Sequence, residues 1–201
     1  MAYSSKIIEQ AVENLSKFPG IGSKSALRMA LYLAKRPESE VQHIATSILE
    51  IKTKLKQCKE CGNLSDFDIC LICENPARDK KVICVVEDFK DVVAIENTAQ
   101  FKGVYHILGG LISPIEGIGP EDINISSLFQ RIKLNEVKEV IVALAANMEG
   151  DTTTYYLSKK IAGEGIKIST ISRGISIGSE LEFTDEVTLG RSIINRIPYP
   201  L

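Results

Sequence analysis

The 201-residue sequence lacks any long hydrophobic run. Its longest apolar stretches, VICVV and VIVALAA, fall far short of the roughly 20 residues a membrane span requires. The opening MAYSSKIIEQ has no apolar core of an export leader, so a cytoplasmic location with no membrane role is expected. Internal repeats and low-complexity tracts are absent, which excludes a solenoid. Histidine is scarce: the two present, His43 and His106, lie in helix-like and strand-like patterns away from the cysteines and are read as structural side chains. An excess of one charge is missing too, since the net charge is −2, a balance that taken alone argues against a polyanionic partner.

What is present is unevenly distributed. Residues 1–57 hold nine Lys/Arg and five Asp/Glu, giving +4, and the remainder holds fifteen and twenty-one, giving −6. A nucleic-acid footprint is therefore expected at the amino end. With 44% hydrophobic and 25% charged residues, the chain can bury one large core or two small ones.

Three helices are expected first. One carries Ile7, Ile8, Ala11, Val12 and Leu15, with Ser4 or Ser5 as N-cap and Pro19 closing it. The next starts at Ser23 as cap and carries Ala26, Leu27, Ala30, Leu31 and Ala34. The third uses Val41, Ile44, Ile48, Ile51 and Leu55. From Lys81 the pattern alternates strand and helix, as a parallel sheet does. The strands are KVICVVE, GVYHIL, EVIVALA and IKISTIS, with helices over DVVAIENTA, TTTYYLSKKIA and finally DEVTLGRSII. A Gly- and Pro-rich loop runs from Gly109 to Asp122, and no element is assigned between it and Glu139. The natural boundary falls between the cysteines and Lys81.

The stretch FPGIGSKSA, Phe18–Ala26, has the composition of a phosphate-contacting loop. It is not a Walker A loop: aligning Lys24-Ser25 with the end of that motif puts Ser23 and Phe18 where glycines are required, and a helix precedes it where a strand should be. GIGPED fails as a dinucleotide fingerprint because Asp122 replaces the third glycine. The remaining pattern, helix, Gly-x-Gly turn, helix, resembles the helix-hairpin-helix motif of non-sequence-specific DNA-binding proteins. Gly20 and Gly22 can take positive φ and let backbone N–H groups approach a phosphate. Ile21 anchors the turn, and Lys24 and Arg28, one turn apart, add charge at a helix N-terminus. The same residues also suit a plain interhelical turn with glycine as a C-cap.

CKECGNLSDFDICLIC is C-x2-C-x8-C-x2-C. Two such pairs complete a tetrahedral thiolate site, so Cys58, Cys61, Cys70 and Cys73 are expected to hold one structural Zn2+ with no open coordination position. Gly62 and Asn63 are placed to accept left-handed backbone after the first pair. The ion would fold a segment too small for its own core. A redox dithiol is the alternative, and it lacks a thioredoxin-like context. Cys84, in an apolar strand, is read as a small buried hydrophobe.

Glu87 ends the first strand, and Glu149 and Asp151 follow the third. Ligands gather beyond the carboxyl ends of parallel strands, so these acids could converge on one Mg2+, which needs few protein oxygens. Asp151 could instead cap the next helix. This pattern resembles the Toprim domain of topoisomerases, primases and related nucleases. PGIGSKSALRMA, the four cysteines, ICVVEDFKDV, GVYHILGGLISPIEGIGPEDI and ELEFTDEVTLGR, in that order over nearly the full length, resemble the bacterial RecR family of recombination mediators.

The resemblance implies an α+β protein in parts: a helix-hairpin-helix domain at 1–56, a four-cysteine zinc finger at 57–76, a Toprim domain with a four-stranded parallel sheet at 80–176, and a C-terminal segment with a helix at 177–201 that serves oligomerisation. It implies a non-enzymatic DNA-repair factor that binds single- and double-stranded DNA without sequence preference and assembles from homodimers to a homotetrameric ring. It implies partnership with RecO and at times RecF, helping RecA replace single-strand-binding protein. Lys24 and Arg28 match the DNA-facing residues, the cysteines the zinc ligands, and Glu87, Glu149 and Asp151 the Toprim acids, which there serve partner contact or structure. Phe89 stands where the family commonly has proline, and ANMEGDTT differs from the commoner NPTVEGEATA while keeping the acid-x-acid pattern. Two rival readings are a Mg2+-dependent Toprim enzyme acting on phosphodiesters and a zinc adaptor that binds only proteins. A topoisomerase tyrosine would have to come from a separate domain, and Tyr155 and Tyr156 lie in a helix that packs on the sheet.

Overall fold

In the computed structural model, which describes residues 3–134 and 136–198, the chain separates into two units, one ending at Leu55 and one beginning at Lys56. In the first, Ser5 has extended backbone and its hydroxyl accepts a hydrogen bond from the Ile8 N–H, opening α1 (Lys6–Leu15). The chain turns through residues 16–22 into α2 (Ser23–Leu33), and α3 (Glu38–Thr53) follows Pro37. Val12, Ala26 and Ala30 are buried where α1 meets α2, with Ile8, Leu15 and Ile21 half-buried around them; the alanines allow close helix approach.

The third helix forms as expected, and two details differ, the cap of α2 and the end of α3. Gly22, not Ser23, is the N-cap of α2, and Ser23 is already helical. The apolar stripe of α3 exists, but none of its residues is buried: Ile48 is 50% and Ile51 65% exposed, and Leu55 lies beyond the helix. Periodicity reports a face that needs a partner and is silent about what supplies it. Within this unit an apolar groove of about 910 Å³ is lined by Leu15, Phe18, Met29, Tyr32, Ile44 and Ile48, among others.

In the second unit β1 (Lys56–Gln57) and β2 (Leu64–Ser65) pair antiparallel around the first cysteine pair, and the single-turn α4 (Leu71–Glu74) carries the end of the second. The sheet comprises β3 (Asp79–Val86), β4 (Gly103–Ile107), β5 (Glu139–Val142) and β6 (Lys167–Thr170), all parallel, in the order β4-β3-β5-β6. Helices α5 (Phe89–Glu96), α6 (Ile125–Leu134) and α7 (Met148–Ile161) connect the strands, and α8 (Glu186–Ile194) follows. The four parallel strands are those expected, each shorter at its carboxyl end, with β3 starting two residues earlier at Asp79, so that Glu87 lies just past β3.

β3 is buried on both faces. Ile83 and Val85 join one core cluster, and Cys84 and Val86 join the other, as befits a parallel sheet covered on both sides. Cys84 is the buried hydrophobe expected, and burial pushes its thiol up to about 12. α5 starts with a capping box between Asp88 and Asp91, and Phe89 occupies its first helical position, a place where proline is also favoured.

Helix α6 is absent from the sequence reading. Its first turn, Ile125 with two serines, is weak in helix propensity, and Ile125, Leu128 and Ile132 are buried at helical spacing, so packing of that face fixes the helix. The expected boundary before Lys81 is not a break in packing either. The Ile107 N–H donates to the Cys61 carbonyl at 2.8 Å, and Ile72 packs against the cluster containing Cys84 and Tyr105. The cysteine segment thus groups with the sheet.

Candidate functional site

Three sets of residues concern function, one in the first unit and two in the second. In the first, Gly20 has φ +77°, a conformation that strains any residue with a Cβ. Gly22 has φ −86°, so the positive φ expected at both glycines occurs only at Gly20. As a glycine N-cap, Gly22 offers no side chain to the first turn of α2, which leaves those backbone N–H groups and their partial positive charge open to an anion. Lys24 and Arg28 are both exposed on that helix. Arg28 reaches the Ser25 hydroxyl at 3.4 Å, and neither cation has an acidic partner among the described residues. Ile21 packs inward on the Val12 cluster and fixes the turn.

The cysteines are all buried, and their Sγ atoms lie within 4.8 Å of one another. Four sulfurs placed tetrahedrally at ~2.3 Å from an ion stand ~3.8 Å apart, and Cys61 and Cys70 are separated by 3.6 Å. This is far beyond the ~2.05 Å of a disulfide. Gly62 (φ +77°) makes the first turn, with the Cys58 N–H bonded to the Asn63 carbonyl at 2.7 Å; Asn63 itself does not adopt positive φ. The Cys70 N–H donates to Cys58 Sγ at 3.2 Å and the Cys73 N–H to Cys70 Sγ at 3.5 Å. Hydrogen bonds with Cys61 and Cys70, reinforced by burial, push the Cys73 thiol far up. A divalent ion removes that penalty by binding the thiolates.

The acids flank the sheet's topological switch point. From β3 the chain passes to β4 on one side and then to β5 on the other, so Glu87 after β3 and Glu149 and Asp151 in the first turn of α7 occupy the carboxyl ends of adjacent strands. Among the described residues, however, the cysteines are the only three or more His, Cys, Asp or Glu whose ligand atoms lie within 4.8 Å. Asp151 Oδ1 accepts from Arg173 at 2.6 Å, and that guanidinium holds its carboxyl below the usual range. Asn147, not Asp151, caps α7, accepting the Gly150 N–H at 2.8 Å.

Arg173 and Arg131 are the residues the sequence reading misses. Nothing local marks either as special, since their partners lie 22 and 58 positions away. His43 is exposed on α3. His106 is fully buried, its Nε2 2.7 Å from the Asn124 carbonyl. Tyr155 is 62% exposed, and Tyr156 packs against the core.

Family models for the RecR helix-hairpin-helix match residues 8–52, for the RecR four-cysteine zinc finger domain 55–75, for the Toprim domain 81–172 and for the RecR C-terminal region 174–197. The chain is 53% identical over 199 residues to recombination protein RecR of Flavobacterium johnsoniae, covering 99% of this chain and 97% of that one. It is 52% identical over 199 residues to the Amoebophilus asiaticus protein of the same name, covering 99% and 100%. With that of Phocaeicola vulgatus the identity is 54% over 194 residues, covering 96% and 95%. The finger match and the sulfur geometry together make the four cysteines a structural zinc site. No helix among the described residues is long and apolar enough to cross a membrane.

Proposed function

The chain belongs to the RecR family of recombination proteins, and from that footing we propose that it is a cytoplasmic, non-enzymatic mediator of recombinational DNA repair that closes as a ring of its own copies around DNA. With RecO, and with RecF in some settings, it helps RecA load at single-stranded gaps. The observation that carries this reading is the hairpin: an uncapped α2 N-terminus behind a glycine at φ +77°, with Lys24 and Arg28 exposed and free of acidic partners. Such a surface contacts phosphates and reads no bases. Each copy binds weakly, and several held in one assembly add their contacts.

Self-association is supported by apolar surface left uncovered in one chain. Ile48 and Ile51 of α3 are such residues, as are Ile193 and Ile194 of α8, a helix with no buried residue. The acids serve partner contact in this reading. Asp151 is engaged by Arg173, and the three are not drawn together as ligands, so the arrangement gives strand cleavage with Mg2+ little support. Incubating supercoiled DNA with protein and Mg2+ is expected to leave it uncut.

The decisive experiment is the Lys24→Glu, Arg28→Glu double variant, assayed by salt titration on single- and double-stranded oligonucleotides. Binding to both should weaken, and the slope of log K against log salt should fall by roughly two per engaged subunit, with the oligomer intact. An unchanged affinity removes the hairpin from the DNA-binding surface.

A further inference from the structure

Arg131 is a buried cation with no protein anion to answer it. Its residue is 7% exposed on α6, between Leu128 and Ile132 of the core. One guanidinium nitrogen donates to the Tyr105 carbonyl on β4, another lies 3.8 Å from Cys73 Sγ, and Nε has no partner. No carboxylate pairs with it among the described residues. His106 cannot serve as an anion. With Nε2–H donating to the Asn124 carbonyl, its Nδ1 is a neutral acceptor, itself without a partner. A guanidinium placed this way is costly unless a negative group stands beside it.

That group is the metal centre. Four thiolates around one Zn2+ carry a formal charge of about −2, and Arg131 reaches one of the ligands, Cys73. We propose that Arg131 is the counter-cation of the zinc–tetrathiolate centre, so that the ion stabilises the α6–β4 side of the sheet domain as well as the finger. Besides the apolar contact of Ile72, two polar links join the finger to this region: the Cys61 carbonyl accepts from the Ile107 N–H, and Arg131 spans Cys73 and the Tyr105 carbonyl. When the ion leaves and the thiols take up protons, the first link persists. The second becomes an uncompensated charge within the core. Outer-shell partners of this kind set metal retention and ligand electronics without touching the ion.

The full-length protein tests this through Arg131→Gln, which keeps a donor for Tyr105 and removes the charge, and Arg131→Lys, which keeps the charge. Zinc transfer to an excess of chelator should be roughly tenfold or more faster in Arg131→Gln, and within about threefold of the parent in Arg131→Lys. In the cobalt(II)-substituted protein, the thiolate-to-metal charge-transfer absorption should shift in Arg131→Gln. Stripping zinc should expose the amides of α6 and β4 to hydrogen exchange in the parent chain and markedly less in Arg131→Gln, where no charge is stranded. Parent-like zinc release with an unmoved cobalt spectrum in Arg131→Gln overturns the proposal. Equal release by the Gln and Lys variants also overturns it. If Arg131→Gln does not fold, Arg131→Lys decides: near-parent retention supports the charge role, and tenfold loss refutes it.

Discussion

His106 shows how one side chain couples folding to pH. Burial holds its imidazole down to about 4, opposed by the hydrogen bond to the Asn124 carbonyl and aided by the neighbouring Arg131 charge. Between that value and the ordinary ~6.5 of an unfolded chain, the unfolded state binds a proton that the folded state refuses. Stability therefore falls as the medium is acidified through this window and is indifferent to His106 above it. His106→Gln, which can still donate to Asn124, should recover roughly 2 kcal/mol at about pH 5 relative to its effect at pH 7. Urea unfolding of both chains with equal zinc loading measures this, and parallel pH profiles would show that the ring titrates normally. At this scale, the zinc ligands and Lys24 and Arg28 were legible in the sequence because spacing along one short segment defines them. Arg131 and Arg173 were not, since each takes its role from residues far away in sequence.

Among the elements, the first turn of α7 is the most constrained. A Cβ on Gly150 would stand 2.0 Å from the Ala145 carbonyl oxygen and 3.0 Å from Asn147 Oδ1, the cap itself. Alanine inside a helix gains up to ~1 kcal/mol over glycine, but overpacking against backbone costs about 1–3 kcal/mol, so the clash wins. Gly150→Ala is expected to destabilise the protein and to displace Glu149 and Asp151 together, measurable as a lower thermal midpoint and shifted amide resonances in residues 145–151. A rise in the midpoint would mean that the 143–147 turn yields freely. Helix α7 also began four residues before the expected start because Asn147 supplies the cap. Helix α6 follows a Gly- and Pro-rich loop and opens with Ile125 and two serines, so its start carries no strong local signal.

For the molecule as a whole, the question is what covers the apolar surface of α3 and α8. No residue of α8 is buried, and Ile193 and Ile194 are 60% and 76% exposed. Charging both, as Ile193→Glu with Ile194→Glu, should change the stability of the single chain by no more than ~0.5 kcal/mol and shift native mass spectra toward smaller assemblies. An unaltered distribution of assemblies would take α8 out of the subunit contacts. A one-chain sequence reading sees such faces only as core, because amphipathic periodicity is the same whether the partner is the chain's own sheet or another copy.

The sequence by itself determined the identity of the metal ligands, the glycine turn with its two cations, the four parallel strands and the family. The ligands, the turn and the strands are written in short-range spacing, which coordination chemistry and backbone sterics read directly, and the family resemblance lies in the order of those motifs along the chain. Only the tertiary structure decided that the cysteine segment packs with the sheet, that Asp151 is held by Arg173, that α6 is a helix, and that a buried arginine faces Cys73. Those outcomes depend on which distant groups share a low-dielectric interior, where an unpaired charge or an unfilled apolar face costs more than local propensity can offset.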